Sequence, residues 1–140
     1  MTQEDKQLLL ADLSARLPYG VICDCLHDYH TKASAIDAED STVYYPYCDE
    51  WESIEYCKPY LRPMSSMTTD EEYEYYQIRK RNSDKSLSLM DCNDHLQQLL
   101  FPIIVGTESI DWLNAHHFDY RGLIEKGLAI AVTEENNPYK

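Results

Sequence analysis

Tyr19-Gly-Val-Ile-Cys-Asp-Cys-Leu-His27 is the stretch on which the fold class turns. Val21, Cys23 and Cys25 alternate with Ile22, Asp24 and Leu26, a period of two that suits a strand whose successive side chains point to opposite faces. Just upstream, Leu9, Leu10, Leu13 and Leu17 recur at three-and-four spacing, with Thr2 as N-cap, Glu4 and Asp5 in the first turn, and Pro18 and Gly20 as the stop. An amphipathic helix therefore runs straight into a strand, and the expected class is α+β: a small, mainly antiparallel sheet from about Tyr19 to Cys57, packed with about four helices.

Downstream of this stretch, Thr42-Val-Tyr-Tyr-Pro-Tyr-Cys48 is rich in β-branched and aromatic residues, but Pro46 cannot donate to a ladder. It is an edge strand or one that ends at the proline. Thr31 to Ser41 is strand or loop, and Ser53 to Cys57 is a further short strand. Pro59 and Pro63 bracket Tyr60-Leu61-Arg62 in an extended or turn conformation, because the residue before a proline is pushed out of the helical region.

Met64 to Glu72 offers two overlapping capping boxes, Thr68 with Glu71 or Thr69 with Glu72, ahead of a helix ending in Arg79-Lys80-Arg81. Acids in its first turn and bases in its last complement the helix dipole, so the basic cluster reads as a helix terminus and Asn82 to Ser86 as a loop. Asp91 or Asn93 caps a short helix from His95 to Phe101, interrupted by Pro102. Thr107 caps another from Glu108 to about His117, with Ile110, Leu113, Trp112 and His117 facing inward. Gly127 to Thr133 suits a strand or a helix, and the polar tail from about Glu134 is expected to fray.

At 140 residues the expectation is one domain, able to bury a core without staples. The first residues carry acids where a signal peptide carries bases, which points to the cytoplasm. Cys23, Cys25, Cys48, Cys57 and Cys92 are odd in number and lack framework spacing, so they read as free thiols. The net charge is −13, and Asp37 to Glu74 alone holds eleven acids against Lys58 and Arg62. Phosphate backbones and anionic membranes need clustered Lys and Arg, so direct nucleic-acid binding and membrane attachment are not expected.

The candidate chemistry is sparse. No Gly-rich phosphate loop, G-x-S-x-G elbow or H-x-E with C-x-x-C pattern is present. Cys23, Cys25, His27 and His30 form one conceivable metal set, since Cys-x-Cys on a strand aligns both sulfurs, although structural zinc sites favour C-x2-4-C knuckles. His116, His117, Asp119 and Arg121 form the other cluster an enzyme would need. Neighbouring histidines diverge by about 100° on a helix and cannot share one ion, so a role at the helix end, with imidazole on free carbonyls, explains them better. No catalytic residue and no cofactor are assigned.

Tyrosine is abundant, with 12 in the chain, many of them in the acidic middle. That composition suits a protein-binding surface, for which Tyr44, Tyr45, Tyr47, Asp49, Glu50, Glu52 and Glu55 are the candidates. The expected function is binding of a protein partner whose identity the sequence leaves open. A nucleic-acid-mimicking inhibitor and a metal- or thiol-dependent enzyme stand as alternatives.

Three segments carry a resemblance: Ala15 to Val21 (A-R-L-P-Y-G-V), Cys57 to Glu72 (C-K-P-Y-L-R-P-M-S-S-M-T-T-D-E-E) and Asp111 to Ile130 (D-W-L-N-A-H-H-F-D-Y-R-G-L-I-E-K-G-L-A-I). They resemble a group of small proteins of gut Bacteroides and their phages or mobile elements. The resemblance implies a bacterial cytosolic setting and carries no activity, cofactor or catalytic residue. Both K-P-Y-L-R-P and F-D-Y-R-G have the look of structural joints.

Overall fold

The structure, a computed structural model, describes residues 1–26, 30–90 and 107–140, without the side chains of 82–90. It divides into two compact units, one formed by Met1–Met64 with Ala115–Lys140 and the other by Ser65–Asn114. The class is mixed α and β, with mainly antiparallel strands concentrated in the N-terminal half. The described residues hold three α-helices, fewer than the four or so expected; the segment His95 to Phe101, read as a further helix, lies outside them.

In the first unit, helix α1 (Gln3–Arg16) starts at a capping box: the Thr2 hydroxyl accepts the Asp5 amide and the Asp5 carboxylate accepts the Thr2 amide. A 3-10 turn over Leu17–Tyr19 and Gly20, in the left-handed region at φ +73°, end it and redirect the chain. Strand β1 (Ile22–Asp24) pairs antiparallel with β2 (His30–Lys32) and with β6 (Lys58–Leu61), and β6 pairs in parallel with β7 (Ile130–Ala131). Pro59 is tolerated in β6 because β7 pairs only with the two residues after it, Tyr60 and Leu61. Gly127 to Thr133 therefore enters the fold through a strand, and the single sheet expected is instead two.

The second sheet is a meander of β3 (Ala35–Asp37), β4 (Thr42–Tyr45) and β5 (Glu50–Ser53). Strand β4 stops at Pro46, as the missing donor requires. Ser53 to Cys57, expected to be extended, is partly a 3-10 turn over Ile54–Tyr56, because the Ser53 hydroxyl accepts the Glu55 amide and caps it. Leu9 and Leu13 of α1, Val21 just before β1, Cys23 and Leu61 of the first sheet, Val43 and Tyr45 of the second, and Leu123 belong to one apolar core. The tail expected to fray ends in Tyr139, whose hydroxyl donates to the Tyr60 carbonyl at 2.7 Å and accepts the Ile22 amide at 3.2 Å.

In the second unit, Thr68 and Glu71 form the reciprocal cap of helix α2 (Thr69–Met90). The helix does not stop at Arg79-Lys80-Arg81 but runs through the expected loop to Met90, so that cluster lies in mid-helix. Helix α3 covers residues 107–115. Its Trp112 ring lies 5.4 Å from that of Tyr75, and Glu108 meets Arg81 at 2.9 Å. Its buried side is Ser109, Trp112, Leu113 and Asn114, whereas Ile110, expected inward, is exposed. No helix among the described residues is long and apolar enough to cross a membrane.

Candidate functional site

The β4–β5 hairpin sorts the candidate surface residues by face. Its register sets Tyr44 opposite Trp51, and Val43 and Tyr45 opposite Glu52 and Glu50. Strand alternation sends the first pair outward and the other two inward. The Tyr44 and Trp51 rings lie 5.2 Å apart and tilted by 40°, and the Tyr44 hydroxyl donates to Asp49, whose carboxylate pushes the phenol above its ordinary value. In the turn between the strands Tyr47 is 81% exposed, on β5 Trp51 is 53% exposed, and beyond the hairpin Tyr56 is 54% exposed. Tyr45 and Glu52 belong to the interior; burial pushes the Tyr45 phenol far up. Trp51 was not among the sequence candidates, although the alternation Glu50-Trp51-Glu52 carries the signal that sets it on the face opposite the two acids.

Several carboxylates of the acidic segment serve local structure. Asp37 accepts the amides of Glu39 and Asp40 at 3.0 and 3.1 Å, Glu52 accepts the Leu26 amide at 2.9 Å, and Glu55 pairs with Lys6 at 3.2 Å. Asp49 is exposed beside the aromatic pair, and Glu50 is exposed on the opposite face of β5.

The second cluster, around the paired histidines, is a joint between distant segments. Arg16 and Asp12 are both fully buried and paired at 2.7 Å through Nε and 3.2 Å through Nη2, and Nη2 also donates to the Phe118 carbonyl at 2.6 Å. Arg121 approaches Asp12 at 3.4 Å. The Arg62 amide donates to the His117 carbonyl at 2.7 Å, the Asp119 amide donates to the Arg62 carbonyl at 2.9 Å, and the Arg62 guanidinium lies 4.2 Å over the Phe118 ring. Asp119 accepts the amides of Leu123 and Ile124, both at 3.0 Å, closing the turn that holds Gly122 at φ +77°. The three segments that carry the resemblance thus meet here through Arg16, Arg62 and residues 117–121.

His117 ends the helix by its backbone, at φ +63°, and not by its imidazole. The ring stacks on Tyr139 with centroids 3.7 Å apart, and burial, with Arg16, His116 and Arg62 nearby, lowers its pKa from 6.5 to about 4. It is neutral at physiological pH and brings no positive charge to the helix end. Its Nδ1 and the Nη1 of Arg16 are buried without a hydrogen-bond partner among the described residues.

Of the thiol and histidine set, the described residues do not bring His30 to the cysteines. Asp24 is opposite His30 in the β1–β2 register and Cys23 is opposite Thr31, so His30 projects from the face opposite Cys23 and Cys25. Both cysteines are buried, whereas His30 is exposed with its ring edge-on to Tyr60 at 5.7 Å. A hydrogen bond donated to Cys57, together with burial, holds the Cys23 thiol protonated. His27 lies outside the described residues.

Comparison of the chain with family models, with curated proteins and with solved structures finds no match.

Proposed function

We propose that the chain is a non-enzymatic protein-binding module that engages a basic surface of its partner through the outer face of the β4–β5 hairpin. The observation that carries this is the Tyr44–Trp51 pair held on the solvent side, with Tyr47 81% exposed beside it. Adjacent exposed aromatics anchor protein interfaces, and an acidic rim steers and orients a cationic partner. Trp and Tyr rings with Asp49 beside them suit Arg and Lys side chains in particular, through cation–π contact with charge assistance. In this reading the setting is bacterial and cytosolic, in keeping with the resemblance to proteins of gut Bacteroides and mobile elements.

The test begins with capture of a partner by the tagged protein from a Bacteroides lysate and continues with the purified pair. Binding is followed by tryptophan fluorescence over a range of salt. Trp51→Ser combined with Tyr47→Ser should abolish binding while moving stability by no more than about 0.5 kcal/mol, as for most surface changes. Wild-type affinity in that variant, or binding that does not weaken with salt, would overturn the proposal.

A further inference from the structure

We infer that Cys48, Glu50 and Glu52 form a binding site for a divalent metal ion of borderline softness, best matched by Zn2+. Strand alternation sets Glu50 and Glu52 on one face of β5, and the turn after Tyr45 brings Cys48 to them. One donor atom from each, the thiol sulfur and a carboxylate oxygen from each glutamate, lie within 4.8 Å of one another. Donors around a tetrahedral ion at ~2.0–2.3 Å sit roughly 3.5 Å apart, so side-chain rotations of about 1 Å complete the set.

Glu52 supplies the independent reason. It is 7% exposed; one carboxylate oxygen accepts the Leu26 amide at 2.9 Å, and the other is buried with no hydrogen-bond partner among the described residues. A ligating carboxylate is held in this way, with an amide fixing one oxygen and the other directed at the ion. An ion there would also relieve the repulsion between Glu50 and Glu52 in a chain of net charge −13.

The donor types select the ion. A thiolate is a poor ligand for Mg2+ or Ca2+, and two carboxylates are too hard for Cu+, whereas Zn2+ and its spectroscopic substitute Co2+ accept both. Binding replaces the Cys48 S–H by a sulfur–metal bond and releases that proton to solvent. Three protein donors leave the fourth position to water. The ion would tie the β4–β5 turn to its strand, independently of whether the outer face binds a partner.

The full chain, kept reduced by a non-chelating phosphine and freed of metal, is titrated with Co2+ and then with Zn2+. The expected result is one equivalent bound, a thiolate-to-cobalt charge-transfer band that Zn2+ displaces, and a rise in Tm with Zn2+. Cys48→Ser should remove the band, and Glu52→Gln and Glu50→Gln should each weaken binding by more than the roughly tenfold that loss of an outer-shell partner costs. Cys25→Ser and His30→Ala should leave it intact. Cys48 is only partly buried, so its variant reports even if Glu52→Gln fails to fold. A band that survives Cys48→Ser, or no saturable uptake of either ion, would overturn the inference.

Discussion

Replacing Arg16 with Met withdraws a guanidinium from a position where it holds Asp12 at 2.7 and 3.2 Å and the Phe118 carbonyl at 2.6 Å. Methionine fills much of the stem, so the loss is chiefly electrostatic. Asp12 is left fully buried with Arg121, at 3.4 Å, as its ion-pair partner. Breaking a buried pair from one side costs about 3–5 kcal/mol, and loss of the hydrogen bond to the Phe118 carbonyl adds about 1 kcal/mol. Protonation of Asp12 recovers part of this, because burial already raises its carboxyl above the usual range in spite of Arg16 and Arg121. The net expectation at neutral pH is a loss of about 4 kcal/mol, which at a urea slope of about 1.5 kcal/mol/M lowers the midpoint by nearly 3 M.

The sign of the pH dependence is also determined. A carboxyl whose folded pKa is raised binds its proton more tightly folded than unfolded, so the deficit of the Arg16→Met protein should shrink as pH falls through that pKa. Asp12→Leu combined with Arg16→Met removes the stranded charge and should regain more than half of the loss. Urea denaturation of the four proteins at pH 7 and pH 5 measures all of this. A single-variant loss below about 1 kcal/mol, or a double variant whose loss equals the sum of the two singles, would show that the pair is not the buried joint described.

His117, lowered from 6.5 to about 4 by burial and its cationic neighbours, binds its proton less readily folded than unfolded. Stability should therefore fall between pH 6.5 and 4 by about 1–2 kcal/mol, discounted for partial exposure; thermal melts should show that slope flattened in His117→Asn, which tolerates the left-handed backbone. Tyr139→Phe, which removes the bonds to Tyr60 and Ile22, should cost about 1–2 kcal/mol and speed hydrogen exchange at the Ile22 amide. Gly122→Ala meets nothing within 4 Å, so its cost should come from φ +77° alone, about 1–2 kcal/mol by urea denaturation; no measurable loss would show that the turn relaxes.

The helix starts were legible because their causes are local. Thr2 as a cap and the two overlapping boxes at Thr68 and Thr69 follow from residue types within a single turn, and the structure chooses Thr68 with Glu71 and completes the first box with Asp5. The end of α2 was not legible: Arg79-Lys80-Arg81 suits a last turn, yet nothing there breaks a helix, and it continues to Met90. The candidate surface was legible in outline only. Glu50 and Glu52 are the same residue type two positions apart, but the Leu26 amide and the neighbouring core claim one while solvent keeps the other.

By itself, then, the sequence determined the mixed class, the acidic charge, the helix caps and the strand that ends at Pro46, all of which follow from residue type and short spacing. Only the tertiary structure decided that the strands form two sheets, that Trp51 stands outward beside Tyr44, that His30 turns away from Cys23, and that Arg16 and Asp12 are buried. Each of these depends on pairing or burial between segments far apart in the chain. An i,i+4 pair such as Asp12 and Arg16 reads as an ordinary solvent-facing contact until Phe118 and Arg121, more than a hundred residues away, close over it.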